Sequence, residues 1–389
     1  MKDIPTIIRP EIITWVRKRL GDDVPALAKR MGVNVKKAEA WESGKEPILW
    51  KQAQKLAAKA LVPFGLLFLD EPPELNPNLP DFRTLHNHNI CDASPELQAV
   101  VRSAQEKQDW MSAYCQENGM EPLPFAGSLA LSSSLAESVG KIKEFVDFNY
   151  MDAKDNEQYL SEMVSRIENA GVLLMRNSIV GNSTSHHLDV NEFRGFALFD
   201  KYAPLIFINT ADSKNAQLFT LIHELVHILI GQGGISNNDL YTVKHNRIES
   251  FCNKAAAEFL VPAKPLTEQY RLSTDTLDDR IEKLAMYFKV SRFVIIRRCY
   301  DLKQITQADF EALWQKENMK MVHAVQRPSK GGPDFYKMLA MRNGRFFTRT
   351  VLSALANKHL TYTMAFRLLN IHDVDGLKRL ETVVEKNIL

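Results

Sequence analysis

The chain of 389 residues contains few cysteines and no long apolar segment. Its four cysteines, Cys91, Cys115, Cys252 and Cys299, have no C-x-x-C spacing, which argues against a disulfide framework and against a cysteine-based metal site. Apolar runs such as 66–69 are far shorter than the ~20 residues of a membrane-spanning helix. The first residues also lack the apolar core of a secretory signal. We therefore expect a cytoplasmic protein without a membrane partner.

The remaining composition is typical of a globular protein. Hydrophobic residues make up 45% of the chain and charged residues 25%, which argues against wholesale disorder and coiled-coil architecture. At roughly 150 residues per domain, the length predicts two or three domains. The net charge of +2 conceals an asymmetry, because residues 1–65 carry 13 Lys/Arg against 7 Asp/Glu. The excess of positive charge predicts an anionic partner for this first part alone.

Signals that begin and end helices divide the chain into parts. Short helices ended by Gly21, Gly32 and Gly44 fill the first part, with Asn34 capping the third helix and Pro47 beginning the fourth. A stretch with four prolines in ten residues follows and forms a stiff connector. We predict a helical bundle over 1–70, a linker and helical segment over 71–150, a core domain over 151–300 and a helical extension over 301–389.

The predicted core domain combines strands with helices. The apolar runs 171–176, 195–199 and 204–209 are short and bounded by turn residues, which indicates strands. Helical patterns precede them and resume at about Asn215. The fold class is therefore α+β and predominantly α-helical, with a small sheet.

Residues 219–230 contain His223, Glu224 and His227 in the pattern H-E-x-x-H. On a helix, residues four positions apart share a face, so both imidazoles can bind one metal ion. Glu224 is rotated by about 100° from His223, which places its carboxylate beside the ion, where it can accept a proton from water. Two histidines and a glutamate in so apolar a helix would be costly to bury without such a partner. The pattern predicts a catalytic metal site with Glu224 as general base.

A catalytic zinc site needs a third protein ligand. The helical segment 247–261 offers Glu249 and Glu258, which lie nine positions apart and so point in opposite directions. Asn253 shares a face with Glu249 and can hydrogen-bond a liganding histidine. We therefore favour Glu249 as the ligand, while Glu258 and His245 stay alternatives.

The two motifs together resemble the ImmA/IrrE family of metallopeptidases. Residues 219–231 read FTLIHELVHILIG, and residues 249–262 read ESFCNKAAAEFLVP, similar to the family pattern E-x-x-A-N-x-F-A-A-E-L-L-x-P. Cys252 stands where that pattern has alanine, and Ala255 where it has phenylalanine. The resemblance covers roughly residues 150–300.

The resemblance implies a zincin-like site in which His223, His227 and Glu249 bind Zn²⁺ and Glu224 is the base. Mn²⁺ or another divalent ion remains an alternative metal. It also implies a protein substrate, namely a repressor or an antitoxin. The strand at 204–209 could hold this substrate along an exposed edge. The donor that stabilises the oxyanion is left open among four residues, His186, His187, Tyr336 and His323.

The basic first part resembles the helix-turn-helix of XRE/Cro–C1 repressors. Residues 27–44 follow the pattern L-A-x-x-M-G-V-N-x-x-x-A-x-x-W-E-x-G. The resemblance implies a third helix that enters the major groove of DNA, with Lys36, Lys37 and Ala40 facing bases or phosphates. Further basic residues could contact phosphates: Arg17, Lys18, Arg19, Lys29, Lys45 and Lys51. The alternative is a bundle that contacts another protein.

These features favour an intracellular zinc endopeptidase, fused to a DNA-binding domain, that regulates gene expression by cleaving a repressor or antitoxin. One alternative is a non-proteolytic, DNA-binding regulator that uses the peptidase fold as a sensor or as a platform for a homodimer. Another is a toxin–antitoxin or phage-defence component.

Overall fold

The computed structural model describes residues 4–73, 93–236, 247–323 and 334–385. These residues form two compact units, of which the first contains 4–73 and 93–103 and the second contains the rest. The described part of the chain is mainly helical and includes one small sheet, which confirms the predominantly α-helical α+β class. The division into four segments expected from the sequence stays a prediction. No helix in these ranges is both long enough and apolar enough to cross a membrane.

The first unit is a bundle of short helices around an apolar core. The helices are α1 (Pro10–Arg19), α2 (Val24–Met31), α3 (Val35–Glu42) and α4 (Trp50–Ala60), followed by a short 3-10 helix (Phe64–Phe68). Gly32 ends α2 with a left-handed φ of 71°, and the Asn34 side chain accepts a hydrogen bond from the Lys37 amide at 2.8 Å. Trp41 and Leu56 are among the fully buried core residues.

The fourth helix begins later than the sequence predicts. The prediction placed its start at Pro47, whereas α4 begins at Trp50. Residues 48 and 49 are instead held in extended backbone: the Thr6 amide donates to the Ile48 carbonyl at 2.9 Å, and Leu49 forms a β-bridge with Pro5. This long-range pairing overrides the local preference of proline for the first turn of a helix.

A long helix, α5 (Pro95–Glu117), begins in the first unit, and its residues from Ala104 onward belong to the second. The other helices of the second unit are α6 (Leu135–Phe145), α7 (Asn156–Asn169), α8 (Lys214–Leu229), α9 (Arg247–Leu260), α10 (Ala263–Leu272), α11 (Leu277–Phe288), α12 (Arg292–Asp301), α13 (Gln307–His323), α14 (Phe335–Asn343), α15 (Arg345–Ala356), α16 (Tyr362–Leu369) and α17 (Val374–Glu385). Its strands are β1 (Leu173–Asn177), β2 (Gly195–Leu198), β3 (Leu205–Asn209) and β4 (Gly234–Ser236).

The strands form a sheet in the order β1-β3-β2-β4. β1 pairs with β3 in parallel, and β2 pairs antiparallel with both β3 and β4. The expectation that the segment 204–209 offers an exposed edge is wrong, because β3 is hydrogen-bonded on both sides. The order of the strands along the chain does not predict this arrangement, because β3 follows β1 and β2 in the sequence but lies between them in the sheet.

Helix α8 packs against β2 and β3 and is flanked by α7 and α9. The helix approaches the sheet closely at Gly195. A Cβ atom there would lie 2.6 Å from Thr220 Cγ2 and 2.9 Å from the Phe207 carbonyl oxygen. It would also lie 3.4 Å from Glu224 Cγ. The absence of a side chain at Gly195 is therefore what allows the centre of α8 to touch the sheet.

We expect Gly195→Ala to destabilise the protein by about 1–3 kcal/mol, because the added methyl overpacks the contact between β2 and α8. Gly140→Ala is the matched control, since Gly140 is an exposed helical residue with no atom within 4 Å of an added Cβ. The control should stabilise by up to about 1 kcal/mol through helix propensity. Urea unfolding measures both, and equal stabilities for wild type and Gly195→Ala would contradict the close approach.

Candidate metal centre

Helix α8 carries three titratable side chains into the core of the second unit. The Ser213 hydroxyl caps the helix by accepting a hydrogen bond from the Ala216 amide at 3.3 Å. The side chains of His223, Glu224 and His227 are then buried along with the apolar residues around them, with exposed fractions of 0%, 0% and 1%. The four-residue spacing places the two imidazole rings side by side, with their centroids 4.9 Å apart.

Helix α9 packs on α8 and brings Glu249 to the two imidazoles. The Nε2 atoms of His223 and His227 lie 3.1 Å apart. One oxygen of Glu249 lies 3.2 Å from His223 Nε2, and the other lies 3.2 Å from His227 Nε2. The three side chains thus stand at the corners of a small triangle, in which each imidazole nitrogen lies next to its own oxygen of the carboxylate, and Glu249 is itself buried.

The triangle has the size that a zinc ion requires. Ligand atoms arranged tetrahedrally at about 2.0–2.2 Å from an ion lie about 3.3–3.6 Å from one another. The observed separations of 3.1–3.2 Å are close to this, so a small movement of each side chain admits the ion. Two imidazole nitrogens and one carboxylate are also a donor set that zinc accepts. The residues therefore fit a divalent metal ion.

Asn253 lies one turn beyond Glu249 on the same face of α9. Its side-chain oxygen is 2.9 Å from His223 Nδ1, so the protonated Nδ1 donates to the amide oxygen. With Nδ1 held by Asn253, Nε2 is the ring nitrogen that faces Glu249 and would bind a metal ion. The sequence argument that paired Asn253 with a liganding histidine agrees with this geometry.

The charge of the site is fixed by Glu249. Burial by itself would raise the pKa of this carboxyl, but hydrogen bonds from His223 and His227 outweigh burial and hold its pKa well below the ordinary value. Glu249 is therefore ionised across the physiological pH range. A buried anionic oxygen beside two imidazole nitrogens favours binding of a cation.

The sheet contributes backbone rather than side chains to the surroundings of the site. Gly195 of β2 lies against Glu224, and a Cβ on Gly234 of β4 would be 3.9 Å from His227 Cε1. Sequence analysis did not assign either glycine to the site. The available signal was a glycine inside or beside an apolar strand pattern, which indicates close backbone approach.

The rival ligand Glu258 has a different role. Its carboxylate pairs with the buried Arg298 of α12 and accepts a hydrogen bond from the Ala263 amide at 3.2 Å. It therefore joins α9 to its neighbours rather than facing the histidines. His245, the other rival, lies outside the described residues.

The candidates for the oxyanion donor lie in different parts of the second unit. Tyr336 packs under Arg379 of α17, with the guanidinium 5.9 Å from the ring centroid. His186 and His187 belong to a loop in which the His186 carbonyl accepts from the Val180 amide and His187 bridges to Ile179. The side chain of His323 is outside the described set. These contacts bring none of the three described side chains to the metal centre.

In the first unit, α3 presents the residues expected to face DNA. Lys36 is exposed and Ala40 is half-buried, while Lys37 Nζ lies 3.3 Å from a carboxylate oxygen of Glu46. Lys18, Lys29 and Lys45 are also exposed.

Two of the arginines expected to contact phosphates are already engaged within the first unit. Arg17 donates two hydrogen bonds to the Glu42 carboxylate, at 2.6 and 3.2 Å. Arg19 donates to the Gln98 side-chain oxygen at 2.7 Å. A phosphate contact by Arg17 would have to replace its bonds to Glu42.

A buried helix with two histidines and a glutamate, joined by a carboxylate from the next helix, is the arrangement of a zincin-like metallopeptidase centre. Residues 167–300 match the peptidase family described as the IrrE N-terminal-like domain, a range that includes both α8 and α9. This match supports the resemblance to ImmA/IrrE metallopeptidases and a metal-dependent function for the matched region. No curated protein matches the chain. The matched range does not include the first unit.

We expect Asn253→Ala to weaken zinc binding by about 10–100-fold, because His223 loses the acceptor that fixes its ring and tautomer. Lys254→Ala is the control, since Lys254 is the exposed neighbour on the same helix. Competition with a chromogenic chelator measures both affinities. Equal affinities for wild type and Asn253→Ala would show that the hydrogen bond does not support the ligand.

Proposed function

We propose that the second unit is a zinc-dependent endopeptidase that cleaves a repressor or an antitoxin, and that the first unit binds DNA. The observation that carries the proposal is the position of Glu224 on α8, where it is fully buried and directly follows His223 in the helix that carries both imidazoles. A site that held zinc only for structure would have no use for this second carboxylate, which is not a ligand.

The proposed chemistry divides between the ion and the chain. Zn²⁺ held by His223, His227 and Glu249 would supply a Lewis acid that lowers the pKa of water and polarises the scissile carbonyl. Glu224 accepts the proton of the attacking water and passes it to the leaving amine nitrogen. Asn253 holds the orientation of His223 through its hydrogen bond.

The proposed substrate follows from the combination of the two units. A DNA-binding first unit would tether the peptidase near proteins bound at the same DNA and raise their effective concentration at the site. A repressor, or an antitoxin that also acts at an operator, would meet this condition. The resemblance of the second unit to ImmA/IrrE peptidases supports the same class of substrate.

The second unit is tested with Glu224→Gln in the cell and in purified form. We expect the variant to retain zinc, because Glu224 is not one of the three ligands, and to lose cleavage by about 10²–10⁴-fold. Mass spectrometry of cellular proteins after expression of wild type or variant identifies the cleaved substrate, and metal analysis reports zinc content. Glu268→Gln, at an exposed position of α10, makes the same chemical change away from the site.

Cleavage by Glu224→Gln at the wild-type rate would reject Glu224 as the base. The absence of any product that depends on Glu224, in protein that holds zinc, would favour a non-proteolytic regulator that uses this fold as a sensor or homodimer platform. Wild-type protein that holds no metal would reject the proposed metal site.

DNA binding by the first unit is tested with Lys36→Ala. We expect the variant to bind duplex DNA more weakly and to lower the slope of log affinity against log salt by about 1, because one phosphate contact is lost. Lys264→Ala removes an equally exposed lysine of α10 in the second unit and should leave binding unchanged. Fluorescence anisotropy at several salt concentrations makes the measurement. A wild-type chain that binds no DNA at low salt would favour the protein-contact interpretation of this bundle.

A further inference from the structure

The arginines of the first unit differ in the partners of their side chains. Three of the five that the structure describes there form an ion pair with a carboxylate: Arg9 with Asp70, Arg17 with Glu42 and Arg30 with Asp22. The other two are Arg19 of α1 and Arg102 of α5, and no ion pair within the described residues includes either of them. These two guanidinium groups are therefore the ones with which an anion from outside the chain could pair.

Gln98 of α5 brings Arg19 to the face of the helix that carries Arg102. The Arg19 Nη1 group donates to the Gln98 side-chain oxygen at 2.7 Å. Gln98 is buried, and its Nε2 group donates to the Ala93 carbonyl at 2.9 Å, which fixes the direction of that oxygen. Arg102 follows Gln98 by four residues, so it lies on the same face of α5, one turn further along. The two arginines are therefore neighbours.

The positive charge of Arg102 acts unfavourably on Arg19. Burial lowers the pKa of the Arg19 guanidinium from its ordinary value, and Arg102 lowers this pKa further, whereas Glu96 of α5 opposes both effects. Glu96 nevertheless forms no ion pair with Arg19 in the described part of the chain. An anion placed between the two arginines would relieve the repulsion between them.

Arg19 has a complete hydrogen-bonding edge available for such an anion. The Nε–H and Nη2–H groups of a guanidinium lie side by side and form a fork that matches two oxygens of one anion. In Arg19 both of these nitrogen atoms are buried, and neither has a hydrogen-bond partner among the described residues. Buried donors without acceptors are costly. The bond to Gln98 uses Nη1 and can be kept when the fork is occupied.

We propose that Arg19 and Arg102 form a binding site for a terminal phosphate group, either inorganic phosphate or the phosphate of a small phosphorylated compound. The Nε–Nη2 edge of Arg19 donates two hydrogen bonds to phosphate oxygens, and Arg102 supplies the second positive charge. The two N–H groups are covered in this structure, so phosphate must displace a neighbouring side chain when it enters.

The charge of the site favours this class of ligand over other oxyanions. A terminal phosphate carries about −1.5 to −2 charges at pH 7 and so balances two guanidinium groups. A carboxylate or a phosphodiester of DNA carries a single charge and balances one of them. The proposal depends neither on the proposed peptidase activity nor on DNA binding by the first unit, because free phosphate tests it directly.

The competing explanation is that water satisfies the donors of Arg19 and that no anion binds there specifically. Anions would then act on the protein through ionic strength alone. Arg19→Lys separates charge from hydrogen-bonding geometry, since lysine keeps the charge but lacks the fork. Lys18→Gln is the matched control, because Lys18 is the exposed cationic neighbour of Arg19 on α1.

The experiment uses the full chain as wild type, Arg19→Lys, Arg19→Gln, Arg102→Gln and Lys18→Gln. Isothermal titration calorimetry measures the binding of inorganic phosphate at constant ionic strength, with acetate as the comparison anion. Fluorescence anisotropy measures the binding of duplex DNA in chloride buffer. Circular dichroism establishes that each variant is folded, and Arg102→Gln keeps the test valid if the variants of Arg19 do not fold.

We expect the wild type to bind phosphate more tightly than acetate. Arg19→Gln and Arg102→Gln should each weaken phosphate binding by about 10-fold or more, because each removes a charged hydrogen-bond donor. Arg19→Lys should also bind phosphate more weakly than the wild type, because an ammonium does not offer two parallel N–H groups. Lys18→Gln should bind phosphate as the wild type does.

A wild type that binds no phosphate would overturn the proposal, and so would equal affinities for phosphate in the wild type, Arg19→Gln and Arg102→Gln. Equal affinities of the wild type for phosphate and acetate would also overturn it. A chain that binds no free phosphate, but whose affinity for DNA falls in Arg102→Gln, would assign the arginines to the DNA backbone instead. None of these results bears on the metal site.

Discussion

The second unit depends on the contact between α8 and α9, where two imidazoles and a carboxylate meet inside an apolar core. Each of these groups would be costly to bury alone. Together they satisfy one another, since each Nε2 atom lies 3.2 Å from an oxygen of Glu249. The relative position of the two helices is therefore constrained by polar contacts as well as by apolar packing, and the candidate site is part of the core rather than an addition to its surface.

The sheet and the rest of α9 adapt to this constraint. Gly195 and Gly234 present bare backbone to α8, so that the segment with Glu224 and His227 lies directly under β2 and β4. Asn253 supplies the acceptor for His223. Glu258, on the opposite side of α9, pairs with Arg298 and so ties the same helix to α12. One helix thus contacts the histidines on one face and the neighbouring helices on the other.

Sequence reasoning succeeded where the relevant information is local. The spacing of His223 and His227, the shared face of Glu249 and Asn253, and the capping by Asn34 all depend on the fixed geometry of a helix. Sequence reasoning failed where the backbone pairs with residues that are distant in the sequence. The order of the strands placed β3 inside the sheet, and the bridge between Pro5 and Leu49 delayed the start of α4.

Side-chain partners distant in sequence were equally inaccessible from the sequence. Arg17 looked available for a phosphate because its partner, Glu42, lies 25 residues away on another helix. Helical periodicity shows which residues share a face, but it does not show what that face meets.

Charge balance gives a physical reason why a divalent ion suits this centre. Glu249 places a negative charge within the core, because hydrogen bonds from His223 and His227 hold its pKa well below the ordinary value. A divalent cation at this centre would interact with that carboxylate directly, and ligation would use the lone pair of each Nε2 atom. The buried anionic oxygen therefore offsets part of the cost of placing a cation among the apolar residues of α8.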